Sequence, residues 1–241
     1  ERVKEFMNYQ ITEVMEEYDP DLDQLLFYLP LAGSAFKKVY YDGALGRAVS
    51  KFVPAEDLII PYYATDLDSC ERITHSVKMM GNDLRKLQVS GFYRDIDIMK
   101  PKEEKSDIGQ KYDELEGRVD DYQNNMTVTL LEFHVNLDII GFEDLDVQTQ
   151  EPTGIRLPYI VTIEEQSGEI LSIYRNWRQG DQLHTKKQYF VHYKFLPGLG
   201  FYGFGLIHML GGLSRTATAA LRQLIDAGTL SNLPAGFKAR G

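Results

Sequence analysis

The C-terminal stretch Phe201–Gly241 constrains the fold more than any other part of this 241-residue chain. Its apolar and small residues recur at alternating intervals of three and four, as they do along one side of a helix. This stripe consists of Leu206, Leu210, Leu213, Ala217, Ala220 and Leu224. A second set, spaced seven residues apart, predicts a basic stripe on another side: His208, Arg215 and Arg222. The pattern predicts one long amphipathic helix, and taken alone it also fits an ordinary surface helix with solvated arginines.

The overall composition of the chain limits the classes of protein to which it can belong. Hydrophobic residues make up 43% of the chain and charged residues 26%, as in globular domains. The net charge of −10 argues against a free-standing nucleic-acid binder, but not against a protein past which DNA slides. Cys70 is the single cysteine, so an internal disulfide is excluded. No apolar run is long enough to span a bilayer and no signal peptide opens the chain, so we expect no membrane partner.

The N-terminal part predicts two antiparallel helices. Glu1–Glu17 has apolar residues at helical spacing, and Asp19-Pro20 ends this helix and starts the next. The second helix covers Asp21–Phe36 and is interrupted near Pro30. Asp42-Gly43 then predicts the turn of a β-hairpin whose second strand is Arg47–Val53.

The middle of the chain predicts an antiparallel sheet. Its further strands are expected at Asp57–Tyr63, Arg72–Met80, Met126–Ile140, Pro158–Glu165, Glu169–Trp177 and Gln188–Phe195. The last three or four would form a meander or a small barrel that leads directly into the long helix. In Met126–Ile140 we expect one side to face the core, namely Thr129, Leu131, Phe133, Val135 and Leu137.

Two further elements interrupt this sheet. Asn82–Val89 predicts a short helix that Asn82 caps. Residues 95–123 form a polar insertion with charge runs, in which Ile108–Val119 is a candidate helix. Together these elements predict an α+β fold: an N-terminal helical pair, an antiparallel sheet region with a polar insertion, and a long C-terminal helix.

Few patterns in the chain carry chemistry. Glu132 and His134 share one side of a predicted strand and could be two ligands of a metal, but no third ligand follows at motif spacing. The acidic group around Cys70, which comprises Asp66, Asp68 and Glu71, lacks the full spacing of a calcium loop and predicts a solvated loop. A phosphate-binding loop and a nucleophile elbow are both missing. These patterns therefore predict no catalytic, cofactor or metal site by themselves.

Three glycines precede the long helix, and they resemble a dinucleotide-binding pattern only loosely. Gly200, Gly203 and Gly205 follow a predicted strand, but their spacing is wrong and the rest of a βαβ unit is missing. Glycine also permits two backbones to approach closely. We interpret these glycines as a close contact where the strand meets the helix.

The run from FVHYKFLPG through FYGFG, the long helix and LPAGFKAR resembles the portal protein, or head–tail connector, of short-tailed bacteriophages. The resemblance is strongest over Phe190–Arg240 and weaker over Phe52–Tyr63 and Glu1–Asp42. It implies a wing at residues 1–199, a stem helix at 200–230 and the start of a clip at 231–241. Because the chain begins within a helical pattern and ends just after a turn, we expect the native protein to continue in both directions.

The resemblance also implies a function, that of a non-enzymatic conduit and assembly platform without a cofactor. Portal subunits form a ring, dodecameric in this family, at one vertex of the capsid, and double-stranded DNA passes through it during packaging and ejection. The implied partners are further copies of the chain, the terminase, tail adaptor proteins and the capsid protein, and the implied location is the virion after assembly in the host cytoplasm. The candidate residues for the DNA channel or the subunit interface are His208, Arg215, Arg222, Lys238 and Arg240.

Two other functions remain open on the sequence. One is a metal-dependent hydrolase that uses Glu132 and His134. The other is a structural capsid or scaffold protein without a DNA channel. Metal content distinguishes the first from a portal, and a central channel as wide as duplex DNA distinguishes the second.

Overall fold

The computed structural model describes residues 1–43, 45–98, 127–145, 149, 151–181 and 183–232. It is an α+β protein with helices and two antiparallel sheets, as predicted. The chain divides into two compact units. The first consists of Glu1–Ala55 and the chain from Phe190 onward, and the second consists of Glu56–Tyr189. The predicted division into wing, stem and clip stays a prediction.

The first unit begins with the predicted helical pair. Helix α1 spans Arg2–Tyr9 and continues into a wider helical turn, Gln10–Val14, in which the Met15 N–H bonds the Gln10 carbonyl at 2.9 Å. Helix α2 spans Tyr18–Ala32. It passes through Pro30 and ends earlier than predicted, because Gly33 takes up a left-handed conformation with φ 87° and its N–H bonds the Leu29 carbonyl.

A three-stranded sheet follows the helical pair. Strand β1 is Ser34–Asp42 and strand β2 is Arg47–Pro54, so the predicted hairpin at Asp42-Gly43 is confirmed. Strand β8, Phe190–Lys194, pairs with the other side of β1. The order is β2-β1-β8, and the expectation that the last strand extends the central meander was wrong. Sequence spacing carries no information on a partner this distant along the chain. The unit closes with helix α4, Leu206–Asn232.

The second unit is built on a five-stranded antiparallel sheet with the order β3-β4-β5-β6-β7. Its strands are β3 (Leu58–Ile59), β4 (Arg72–Met80), β5 (Thr127–Leu137), β6 (Leu157–Glu164) and β7 (Ile170–Arg175). The strand predicted at Asp57–Tyr63 shrinks to two residues. Helix α3 spans Gly81–Val89, and the predicted cap by Asn82 was wrong, since Met80 holds the cap position without a side-chain hydrogen bond.

The predicted core side of β5 was also wrong, because both faces of this sheet are covered. The fully buried residues of the strand are Val128, Leu130 and His134, which lie on the side expected to be outward. Val128 and Leu130 pack with Leu84 of α3, Tyr93 and Leu171. The opposite side, including Phe133 and Leu137, is partly buried against a second cluster that comprises Leu157, Tyr159 and Val161. Most of the polar insertion, with the candidate helix Ile108–Val119, lies outside the described residues.

Candidate assembly surface on the C-terminal helix

Helix α4 is attached to the first unit through a contact between glycine backbones. A Cβ on Gly203 would lie 2.5 Å from the carbonyl oxygen of Gly33, and a Cβ on Gly205 would lie 2.6 Å from the Gly33 nitrogen. Neither distance is compatible with a side chain, so only glycine allows the chain before α4 to pass this close to the end of α2. This confirms the predicted close backbone approach at Gly203 and Gly205, whereas the prediction was wrong for Gly200, around whose Cβ position nothing lies within 4 Å.

The side chain of Ser34 links β1 to the segment that precedes α4 and to β8. Its Oγ accepts a hydrogen bond from the Gly203 N–H at 2.8 Å, and His192 Nε2 lies 3.2 Å from it. Ser34 was not identified from the sequence, because a serine after a helix-ending glycine is too common to predict a contact 169 residues away. The bond fixes the segment from which α4 begins.

Aromatic rings pack around this link between β1, β8 and the segment that precedes α4. The rings of His192, Phe36 and Phe201 form a mutual cluster in which His192 lies 4.5 Å from Phe36 and 4.6 Å from Phe201 by centroid, and the two phenylalanine rings lie 6.0 Å apart, with interplanar angles of 20–27°. Burial, assisted by the nearby Lys194 charge, lowers the pKa of His192 to about 4. At neutral pH the imidazole is therefore an uncharged member of the stack.

The first turn of α4 receives a side-chain contact of its own. The Gly205 N–H donates to Nδ1 of His208 at 3.1 Å, and the His208 ring meets Phe204 edge to face. His208 is exposed beyond this contact. One of the predicted channel or interface residues thus also stabilises the start of the helix.

The predicted long helix is confirmed, but beyond the half-buried Leu206 its apolar stripe is largely uncovered by the residues that the structure describes. No residue of α4 is buried. Three leucines of the stripe, Leu210, Leu213 and Leu224, expose 51%, 70% and 71% of their surface. Ile207, Leu221 and Ile225 on the flanks of the stripe are similarly exposed. A continuous exposed apolar surface of this kind is typical of sites where proteins associate.

The basic residues lie on the opposite side of α4. At 3.6 residues per turn, His208, Arg215 and Arg222 fall close to one line along the helix and point away from the leucine stripe. Asp226 lies near the same line, one turn after Arg222. Neither arginine makes a salt bridge to any residue that the structure describes. The two other candidates, Lys238 and Arg240, lie outside the described residues.

The pair proposed as metal ligands does come together on β5. His134 Nε2 and Glu132 Oε1 lie 2.6 Å apart, and His134 is almost fully buried. The Tyr189 ring meets His134 edge to face, and burial together with the Glu132 carboxylate raises the pKa of Tyr189. Within the described ranges, no three groups from histidine, cysteine, aspartate and glutamate are placed to hold a metal ion. The contact is a buried hydrogen-bonded pair on a sheet.

The acidic loop around Cys70 has an internal structure. The Asp66 side chain accepts from the Ser69 N–H at 2.7 Å, and the buried Cys70 thiol donates to the Asp66 carbonyl at 3.0 Å. Burial is the main reason that the pKa of Cys70 is raised. A thiol of this kind stays protonated at neutral pH and is a poor nucleophile.

Comparison with known proteins adds no family. No family model matches this chain, and a search of curated proteins finds no match. Among the described helices, none has the length and apolar character needed to cross a bilayer. The resemblance to portal proteins therefore rests on the residues quoted above and on the properties of α4.

Proposed function

We propose that this chain is a subunit of a phage portal: a non-enzymatic ring at the capsid vertex through which double-stranded DNA is packaged and ejected. The ring also presents a platform for the terminase, the tail adaptors and the capsid protein, and it belongs to the virion. The observation that carries the proposal is the uncovered apolar stripe of α4. The resemblance over Phe190–Arg240 is the reason for proposing a portal in particular.

The stripe supports association between copies for an energetic reason. Burying one leucine side chain contributes about 1.5–3 kcal/mol, and several exposed leucines and isoleucines lie on or beside the stripe. A ring of identical subunits needs two different complementary surfaces on each copy. Helix α4 offers an apolar and a basic side, and the net charge of −10 places an acidic excess elsewhere on the chain.

The experiment that tests the stripe is the double substitution Leu213→Asp and Leu224→Asp in the full-length protein. Sedimentation velocity measures the oligomeric state. We expect the double variant to weaken association by about 100-fold or more, since two leucines that association would bury are lost and two charges are gained. The matched control is Gln223→Asp, about 100° around α4 from the stripe and on the flank opposite Ile225, which adds a helical aspartate outside the stripe and should leave association unchanged.

A second pair of substitutions addresses the basic side. In the proposed portal, Arg215 and Arg222 pair with acidic groups of a neighbouring subunit or contact the passing DNA. Charge reversal at both, Arg215→Glu with Arg222→Glu, should therefore impair ring assembly or DNA packaging. Loss of rings points to the subunit interface, whereas intact rings that package poorly point to the channel. Normal ring yield together with normal packaging contradicts this role.

The hydrolase alternative rests on the short contact between Glu132 and His134. Measurement of stoichiometric transition metal in the purified protein separates it from the portal proposal, because a portal needs no such ion. A scaffold without a channel is the remaining alternative, and it is separated by the presence of a central opening as wide as duplex DNA.

A further inference from the structure

A cleft with a volume of ≈360 Å³ lies at one end of the five-stranded sheet. Its walls come from the start of β4, the end of β5, the residue before β6 and the loop that leads into β4. The lining residues are Pro61, Tyr63, Glu71, Arg72, Val135, Asn136 and Arg156. This volume falls in the range of small-molecule sites.

The topology of the sheet brings two arginines to this cleft. Strands β4 and β6 both run antiparallel to β5, so both begin beside the end of β5. Arg72 is the first residue of β4, and Arg156 immediately precedes β6. Arg72 lies opposite Val135, whereas Arg156 precedes Leu157, which lies opposite Leu137. The two arginines are therefore separated by β5 and offset by three residues along it, so their backbones lie about 14 Å apart. Two extended arginine side chains can reach a common anion from that separation.

The charges in the cleft are unbalanced in favour of an anion. Neither Arg72 nor Arg156 forms a salt bridge or side-chain hydrogen bond with a residue in the described ranges. The single carboxylate among the lining residues, Glu71, accepts a hydrogen bond from the Tyr63 hydroxyl at 3.4 Å. The lining residues therefore carry one carboxylate and two guanidinium groups, in a chain whose net charge is −10.

The donor set indicates the class of ligand. A guanidinium group presents a rigid fork of N–H donors that matches the oxygens of a phosphate, and two forks can bind one phosphate from two sides. The Asn136 amide adds a neutral donor at the same wall. Both arginines are exposed, so bound water competes for them and the affinity is modest.

We propose that this cleft is a binding site for a phosphate group, with Arg72 and Arg156 as its principal ligands. The site belongs to the second unit and does not depend on ring assembly. Evidence against the portal proposal would therefore not contradict the phosphate site, and evidence against the site would not contradict the portal proposal. The phosphate can be a free ion or part of a phosphodiester, and both present the same oxygens to the arginines.

The test is calorimetric titration of the full chain with inorganic phosphate at low ionic strength and pH 7. We expect saturable binding that Arg72→Gln and Arg156→Gln each weaken by about tenfold or more, the effect of losing charge-assisted hydrogen bonds. The matched control is Arg178→Gln, an exposed arginine of the same unit outside the cleft, which should bind phosphate as the wild type does. Arg72→Lys should lie between wild type and Arg72→Gln, because it keeps the charge and loses the fork.

A second titration with a dinucleoside monophosphate identifies the source of the phosphate. Binding of this diester with the same dependence on Arg72 and Arg156 assigns the site to a nucleic-acid backbone, and binding of inorganic phosphate alone assigns it to the free ion. Thermal unfolding of each variant confirms that the fold is retained. The proposal is overturned if wild-type protein shows no saturable binding, if the cleft variants bind normally, or if Arg178→Gln loses as much affinity as they do.

Discussion

Two carboxylates at the start of α2, from Glu17 just before the helix and Asp21 in its first turn, occupy the hydrogen-bonding edge of strand β2. Asp21 Oδ2 accepts from the Phe52 N–H at 2.7 Å, and Glu17 Oε1 accepts from the Ser50 N–H at 3.4 Å. Four residues along a helix rise about 6 Å, and two residues along a strand rise about 6.6 Å, so the spacings match. Arg47 donates to both oxygens of Glu17, at 2.9 and 2.7 Å. The helix thereby satisfies an edge that could otherwise pair with another strand.

The substitution Glu17→Gln should lower the free energy of unfolding by about 1–2 kcal/mol, because it removes a half-buried ion pair with Arg47 and weakens the bond to Ser50. Burial acts to raise the pKa of Glu17, but hydrogen bonds from the backbone and Arg47 outweigh it, and the pKa is lowered. A lowered carboxyl pKa contributes stability above its unfolded value, and this is lost as pH falls through the folded value. Urea unfolding of the wild type and variant at pH 7 and at pH 3 measures both effects.

The neighbouring residue provides a matched control for that substitution. Glu16 is exposed, so Glu16→Gln should change the unfolding free energy by no more than about 0.5 kcal/mol. If Glu17→Gln is as neutral as Glu16→Gln, the carboxylate does not stabilise the edge of β2.

His192 predicts a second pH effect. Its pKa in the folded protein is about 4, against an ordinary value of 6.5, so the unfolded chain binds a proton between these values and the folded chain does not. Stability from this group is complete above about pH 6.5 and declines as pH falls toward 4, by up to ~3 kcal/mol at about 1.4 kcal/mol per unit. Urea unfolding from pH 7 to pH 4 should show a flatter profile for His192→Gln. A profile with the wild-type slope would show that His192 does not titrate in this range.

At the scale of elements, the glycine contact between α2 and the start of α4 determines where the long helix begins. Gly205→Ala should lower the free energy of unfolding by about 2–3 kcal/mol, because its Cβ would overlap backbone atoms of Leu31 and Gly33. Gly200→Ala is the control, since nothing lies within 4 Å of its Cβ position. Thermal unfolding compares the two. Equal midpoints for both variants would show that the backbones can separate at no cost.

The local patterns predicted most of the elements. Helical periodicity indicated the N-terminal pair and α4, and Arg72–Met80 was predicted with the bounds that the structure has. The wrong predictions concern which elements pair or pack with one another. Strand β8 pairs with β1, and β5 is covered on a second face, through residues far apart in the chain. The alternation of apolar and polar residues within one strand predicts neither its pairing partner nor the residues that cover it.

The candidate site was predicted in the same incomplete way. The spacing of seven residues placed His208, Arg215 and Arg222 on one side of α4, which the structure confirms. That these residues face DNA or a neighbouring subunit stays a prediction. The arginine cleft was missed because Arg72 and Arg156 are 84 positions apart (156 − 72) and belong to no motif, so only the strand order brings them to the same end of the sheet.

At the scale of the whole molecule, charge and exposed apolar surface are the properties that bear on function. A net charge of −10 disfavours tight binding to phosphates over most of the surface, which fits the proposed portal because DNA would have to leave it as well as enter it. The apolar stripe of α4 favours association with further copies. In the proposed ring, the apolar stripe of α4 would contact a neighbouring copy, and the basic side of α4 would be a small positive region on an otherwise acidic assembly.

Electron microscopy of the purified full-length protein, with class averages viewed along the particle axis, tests the portal proposal most directly. The account predicts closed rings with a central opening as wide as duplex DNA. Leu213→Asp combined with Leu224→Asp should abolish these rings, and Gln223→Asp should preserve them. A monomer, or a compact oligomer without an opening, would contradict the proposal.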